Sequence, residues 1–510
     1  VAAEPRGEDG LRGAVVLEAG RYEVDGPIEI STSGVVLRGE GQGEDGTVIE
    51  ATREDQHDFI QITGQGSGLG EVSETRTPIT SDYVPVGSRT FSVETPPDFS
   101  EGDAVGVVRT PNQAWIDDLQ MGQWGWTPAS YEIAHERTVT DIDGDEITVD
   151  VPLVDTIESG YGGGELFKAD LSGRVEQVGV ENLRLVSHYD GADDEDHGWK
   201  AIRLRQAQDS WVRGVTAVHF GYAAVSIEGN SSHNTVEETA MLEPISQVTG
   251  ARRYAFNVGG GTGNLFQRCY SEEARHDFVS GSRTTGPNVW LDCYSHDSTN
   301  DDGPHHRWAT GLLFDNTRSL YLHVENRQDS GTGHGWSGAQ TLFWNGMAHG
   351  IRTFAPHGAM NWMVGTMGTE QDGQWTDDEP RGWWESHNDP VEPRSLYLKQ
   401  LEDRLGAAAV EAVTTADQRA GRIWGQLANW AGDGPLSQTP ADDGEPGCAD
   451  GVKSGLICCS ASCGECGGEG CGSREGGSSE CCTNHVKNAA NPCQVYGPPC
   501  IVDPEFEPIP

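Results

Sequence analysis

The sequence predicts an all-β chain built mainly as a right-handed parallel β-helix, a solenoid, carrying an inserted β subdomain, short C-terminal helices and a small disulfide-rich module. Three observations carry that prediction. Apolar phrases recur at steps of 20 to 31 residues through the middle of the chain, the signature of stacked rungs that share one core. The 510 residues include 68 Gly and 25 Pro with only 8% aromatic side chains, which suits many short strands joined by turns. Ten of the twelve cysteines fall between Cys448 and Cys500, a density that implies disulfides and an oxidising compartment.

Residues 1–65 open the coil. Gly20-Arg21-Tyr22, Ile28-Glu29-Ile30 and Val35-Val36-Leu37-Arg38-Gly39 alternate apolar and polar positions, the period of half-buried strands. This phrase resembles the opening of pectate-lyase-like β-helix proteins. Residues 66–168 break the rhythm, with Phe91-Ser92-Val93, Asp103 to Val108 and Ile147-Thr148-Val149 as strands around Trp115, Trp124 and Trp126. They read as an inserted subdomain whose tryptophans either stack on sugar rings or fill a small core.

The main coil spans 169–390. Its rungs align on Asn182, Ser210, Asn234, Asn264, Asn288, Ser319, Thr341 and Asn361. Two positions further lie Val212, Val236, Phe266, Trp290, Tyr321, Phe343 and Met363, apolar as a shared interior column requires. Cys269 and Cys293 fall on adjacent rungs, to be buried as free thiols or as a disulfide. A helical period runs from Ser395 to a Gly406 stop, and a second helix covers about 415–430, within a helical segment 391–431. A Pro- and Gly-rich linker, 432–447, leads to the module 448–510.

The formal charge of -46 argues against a nucleic-acid partner, because phosphate binding needs basic surface. An anionic ligand would need a local basic patch. No stretch is apolar for long enough to form a membrane helix, and the chain reads as a mature secreted protein.

Counting twelve residues back from the anchors gives a column of Tyr222, Arg252, His276, Arg307, Asp329 and His349, expected on an outer face. His305, His306, Arg253, Arg275, Trp308 and the phrase Gly333-His334-Gly335-Trp336 surround it. In so acidic a chain this is the cationic exception that an acidic polysaccharide requires. Elimination at a uronate needs a base for the proton beside the carboxylate, and cations to meet the growing charge. The expected catalytic set is His276 or His306 as base, with His305, Arg307 and Tyr222 as a proton donor. Arg252, Arg253, Arg275, His334, Trp308 and Trp336 are expected to bind substrate.

Two other readings compete. Asp301-Asp302-Gly303 and Gly333-His334-Gly335 resemble the paired acids and Gly-His-Gly of polygalacturonase-like hydrolases, which would make Asp301 and Asp302 the acid and base. The solenoid could instead bind glycan without catalysis, or build a cell-surface fibre, with these residues as a structural ion network.

Residues 10 to 390 as a whole resemble bacterial proteins of the pectate-lyase superfamily, through phrases such as Arg275-His276-Asp277-Phe278-Val279 and Gly303-Pro304-His305-His306-Arg307-Trp308-Ala309-Thr310-Gly311. That resemblance implies the fold more than a reaction. The tail, with Cys448, Cys458, Cys459, Cys463, Cys466, Cys471, Cys481, Cys482, Cys493 and Cys500, resembles a module of secreted algal and marine bacterial proteins. It is expected to attach the protein to a cell wall or matrix, or to act as a protease-resistant cap. No cofactor is firmly implied; calcium on Asp193-Asp194-Glu195-Asp196 is the candidate.

Overall fold

Short strands with alternating burial coil into one 25-stranded sheet. The computed structural model describes residues 1–440 apart from 67, 95–98 and 376–378, with the backbone of a hairpin formed by Gly451–Ser454 and Ile457–Ser460. Every neighbour within the coil is parallel. One line of strands passes through Gly13–Val16, Val35–Arg38, Gly179–Ser187, Trp211–Val218 and Thr235–Leu242, and ends at Trp383–Glu385. Stacking rung on rung leaves edges only at the two ends, which is how a solenoid satisfies its backbone. The protein is a right-handed parallel β-helix.

The insertion shows in the register. Val36 pairs with Gly179, and His57–Thr63 lies beside Gly198–Arg205, so the coil resumes directly after the intervening residues. Those form an antiparallel sheet that includes Thr90–Ser92, Glu146–Val149, Ile133–Asp143, Ala104–Arg109 and Gly164–Asp170. Its own core centres on Val105, Val107, Ile147 and Leu166, all fully buried.

Inside the coil the aromatic column is in register from Phe266 through Trp290 and Phe314 to Phe343. Ring centroids are 5.7 Å apart for Phe266–Trp290 and 4.6 Å for Trp290–Phe314. Truncating one such side chain costs about 3–5 kcal/mol. A second column is polar: the amide of Asn234 donates to Asn264, and that of Asn264 to Asn288, each at 3.0 Å in full burial. An amide offers donor and acceptor at once, so identical residues one rung apart satisfy each other. Two expected anchors are out of step. Val178, not Asn182, precedes the pair Gly179 and Trp211, and Leu312, not Ser319, pairs with Asn288. Ser319 belongs to Arg318–Val324, a strand of the next line around the coil. Cys269 and Cys293 are buried free thiols.

The C-terminal segment packs along the coil as Leu396–Leu405, Ala407–Val413, Ala416–Ala420 and Trp424–Trp430. Ser395 caps the first helix, and Gly406, at φ 83°, ends it, a backbone region open to glycine. A buried network fixes the segment. Arg394 grips Asp292 at 2.7 and 3.1 Å, and Asp315 accepts from Ser395 and the Tyr397 amide. The cysteines of the tail and their pairing lie outside the described residues. No helix among the described residues is long and apolar enough to cross a membrane.

Candidate functional site

The chemistry gathers on a third line of strands: Gly198–Arg205, Ala223–Glu228, Tyr254–Val258, His276–Ser280 and Asp301–Pro304. Tyr254, not Arg252, pairs in register with His276. Turn lengths differ from rung to rung, so a fixed count of twelve slips by two residues at this rung. Arg307 follows Asp301–Pro304 rather than lying within it, and His349 sits on Met347–Thr353, in another line.

At the centre is a hydrogen-bonded chain. Arg327 donates to Nδ1 of His305 at 2.8 Å, and Nε2 of His305 lies 3.0 Å from the Tyr254 hydroxyl. A guanidinium can only donate. Nδ1 is therefore the acceptor, Nε2 carries the proton, and the Tyr254 oxygen receives it. Arg275 donates to the same oxygen at 3.4 Å. With two donors upon it, the Tyr254 hydroxyl keeps its own proton uncommitted.

Around this chain the imidazoles form a continuous patch, with centroids 4.6 Å apart for His276–His305, 5.2 Å for His305–His334 and 4.8 Å for His306–His334. All are held neutral. Burial pushes His306 down to about 3, and His334 and Arg307 add to it. Burial, Arg327 and Arg307 take His334 to about 4. His276 falls to about 4, chiefly through burial. Nδ1 of His276 donates to the Asp301 carbonyl, while Nε2 has no partner. Its ring is fully buried, so His276 backs the site and does not face a ligand, contrary to its expected role as base. Arg275, Arg307 and Arg327 have no carboxylate at ion-pair distance among the described residues; Arg307 instead donates to the Thr332 hydroxyl at 2.6 Å.

The remaining expectations divide. Tyr222 is half-buried, one rung before Tyr254, with centroids 5.2 Å apart. Burial, with Tyr254, Glu228 and Asp58 nearby, raises its phenol well above the usual range, which makes it a poor proton donor. Arg252 is committed to Glu195 at 2.6 and 2.7 Å, and Arg253 to the Ser246 carbonyl at 2.7 Å. Asp302 accepts the backbone amides of Asp277 and Phe278 inside the wall; burial and then Asp277 push its carboxyl well up. It cannot serve as a surface acid. Asp301 differs. Burial opposes its ionisation, but His276, Arg327 and His323 outweigh it and hold the carboxyl low. The permanent charge of Arg327 makes an ionised Asp301 beside neutral imidazoles the consistent state.

Trp308 and Trp336 are 2% and 3% exposed and share a core with Trp115, Trp126 and Tyr131 of the insertion. They cement the insertion to the coil and offer no face to a sugar. The same contact explains Gly333-His334-Gly335: a Cβ on Gly333, at φ 78°, would lie 2.1 Å from the Trp124 carbonyl. These glycines let the insertion approach, and so hold one wall of the site.

The sequence reading missed Tyr254, Arg327 and His323, and it placed Glu325 only in the structural ion network, with Asp277, Asp301 and Asp302. Aligning strands on Phe256 and Phe278, which stack at 5.9 Å, would have placed Tyr254. Asp301 and Glu325 both face Nδ1 of His323, at 4.0 and 3.9 Å. The Glu325 carboxyl is raised by burial, against Arg352 at 3.3 Å. Asp194 of the acid loop accepts the Asp190 and Asp196 amides, and Glu195 holds Arg252. Among the described residues no three His, Cys, Asp or Glu side chains converge to hold a metal.

No protein-family profile matches this chain, and no curated protein matches it. Among solved structures it is similar to the tailspike protein gp49 from Pseudomonas phage LKA1, 12% identical over 75% of this chain and 72% of that one, with a TM-score of 0.38. It is also similar to pectate lyase Pel9A, 8% identical over 75% and 73%, TM-score 0.32. A third is the catalytic domain of a GH87 alpha-1,3-glucanase, 11% identical over 75% and 62%, TM-score 0.30. At these identities and scores the likeness extends no further than a coiled β path.

Proposed function

We propose that this protein is a secreted, carbohydrate-active β-helix that binds an acidic polysaccharide at the Tyr254–His305–Arg327 cluster and cleaves it by β-elimination. The observation that carries the reading is the Tyr254 hydroxyl, fed by two donors, within a group of arginines that have no carboxylate at ion-pair distance among the described residues. Arg275, Arg307 and Arg327 meet the uronate carboxylate and the charge that grows on it as the adjacent proton leaves. His306, neutral and half-buried, takes that proton. The bond to the glycosidic oxygen breaks as the sugar gains a double bond, and Tyr254 protonates the departing oxygen. His305 positions Tyr254, and Asp301 orients His276 behind it. The cysteine-dense tail supports a place of action outside the cell.

Hydrolysis is the second reading, favoured by one observation. Asp301 and Glu325, with carboxyls pushed in opposite directions, flank His323 and lie no more than about 8 Å apart, compatible with the span at which two carboxyls activate a water.

The test is incubation with a panel of uronate-containing polysaccharides, following ultraviolet absorbance of unsaturated uronate and new reducing ends together. Both should rise, and both should be lost in Tyr254→Phe and His306→Ala. Reducing ends without absorbance, lost in Asp301→Asn and Glu325→Gln, would move the case to hydrolysis. Silence in both would leave a binding or structural protein.

A further inference from the structure

The rings of the site do not stop at the arginines. Trp199 and Tyr222 lie 6.1 Å apart, Tyr222 and Tyr254 5.2 Å, and Tyr254 and His305 5.2 Å. Trp199, Tyr222 and Tyr254 belong to three successive turns of the coil and His305 to the second turn after Tyr254, with His276 on the turn between, so the rings form a strip parallel to its axis. One rung advances about 4.8 Å, close to the advance of a polysaccharide per sugar, and an aromatic face is the usual floor for a pyranose.

Charge changes along this strip. Beside Trp199 and Tyr222 the cations are already matched: Lys200 lies 2.7 Å from Glu228 and 3.6 Å from Asp58, and Arg203 lies 2.7 Å from Asp58. A sugar carboxylate there would meet two acids, beside cations that already hold them. Two to four rungs past Tyr222, Arg275, Arg307 and Arg327 have no acid at ion-pair distance among the described residues, and the imidazoles between them are neutral.

Resting on the acidic-polysaccharide reading above, we propose that the ligand lies along the coil axis and carries its acid group intermittently: neutral sugars sit over Trp199 and Tyr222, and an anionic sugar sits at the arginines. A polymer charged on every residue is disfavoured because its neighbouring carboxylates fall beside Asp58 and Glu228.

The experiment measures affinity of the full chain, as Tyr254→Phe to prevent turnover, for hyaluronan, in which uronate alternates with a neutral amino sugar, and for polygalacturonate, charged throughout. Hyaluronan should bind at least tenfold more tightly. Trp199→Phe should weaken hyaluronan several-fold and leave polygalacturonate unchanged. Because Trp199 packs on Gly221, a second variant guards against misfolding: Glu228→Gln releases Lys200 and should raise polygalacturonate affinity about tenfold. Polygalacturonate binding as tightly as hyaluronan, yet lost in Arg307→Ala, would overturn the intermittent pattern while sparing the acidic-polysaccharide reading. Binding of neither polymer, or binding indifferent to Arg307→Ala, would overturn both.

Discussion

Two buried polar networks in this coil have similar residue types and opposite bookkeeping. Where the C-terminal segment docks, Asp292 takes both arms of Arg394 and the Gln418 amide, and Asp315 accepts from Ser395 and the Tyr397 amide. Charges there close on one another. Around the third line of strands, three arginines have no carboxylate at ion-pair distance among the described residues, and Nε2 of His276 and Nδ1 of His306 and His334 are buried without partners there. Orphaned buried groups cost stability. Under the proposed function those groups are kept open for a ligand, whereas the closed network serves the fold.

The largest test of that contrast is Asp292→Asn. It keeps the left-handed backbone, φ 50°, which asparagine tolerates, but strands Arg394, whose side chain is only 21% exposed. Removing one partner of such a pair costs about 3 kcal/mol or more. Thermal unfolding should fall accordingly, with glycan affinity intact. A smaller effect on stability, with a larger one on turnover, is expected of Tyr254→Phe. Deleting the hydroxyl leaves one His305 donor without a partner, about 1 kcal/mol, while loss of a proton-transfer group lowers turnover about 100-fold or more. If Tyr254→Phe unfolds the protein as readily as Asp292→Asn does, the cluster is structural and the distinction fails.

The coil was legible because its repeat is enforced residue by residue. An Asn in the ladder must stand at one position in each rung, so Ser210, Asn234, Asn264 and Asn288 are in register. The site is built differently. His305, Arg327 and His334 lie past the strand ends, in turns whose lengths follow no period, so counting placed Arg252 where Tyr254 stands. Trp308 and Trp336 misled for another reason. A tryptophan beside histidine in sequence resembles a sugar platform, and only the folded insertion reveals that Trp115 and Trp126 cover them. Asp302 reads as an acid beside Asp301, yet the strand turns it into the wall to cap two amides.

The finest contrast between the networks is in pH, where they pull in opposite directions. His276 is held at about 4 in the folded chain, against about 6.5 when unfolded. Between those values the unfolded chain binds a proton that the folded chain refuses, so His276 contributes stability that is present above pH 6.5 and lost as pH falls toward 4. Asp315 is raised by burial to about 7, against about 3.9 unfolded. The folded chain keeps a proton that the unfolded chain releases, so its contribution is lost as pH rises from about 4 toward 7. Denaturant unfolding across pH 4 to 7 separates the two. Relative to the parent, His276→Gln should remove a positive slope of up to about 1.4 kcal/mol per pH unit, and Asp315→Asn a negative one of similar size. Equal slopes for parent and His276→Gln would mean that this imidazole titrates normally, and with it would go the neutral patch on which an anion is expected to settle.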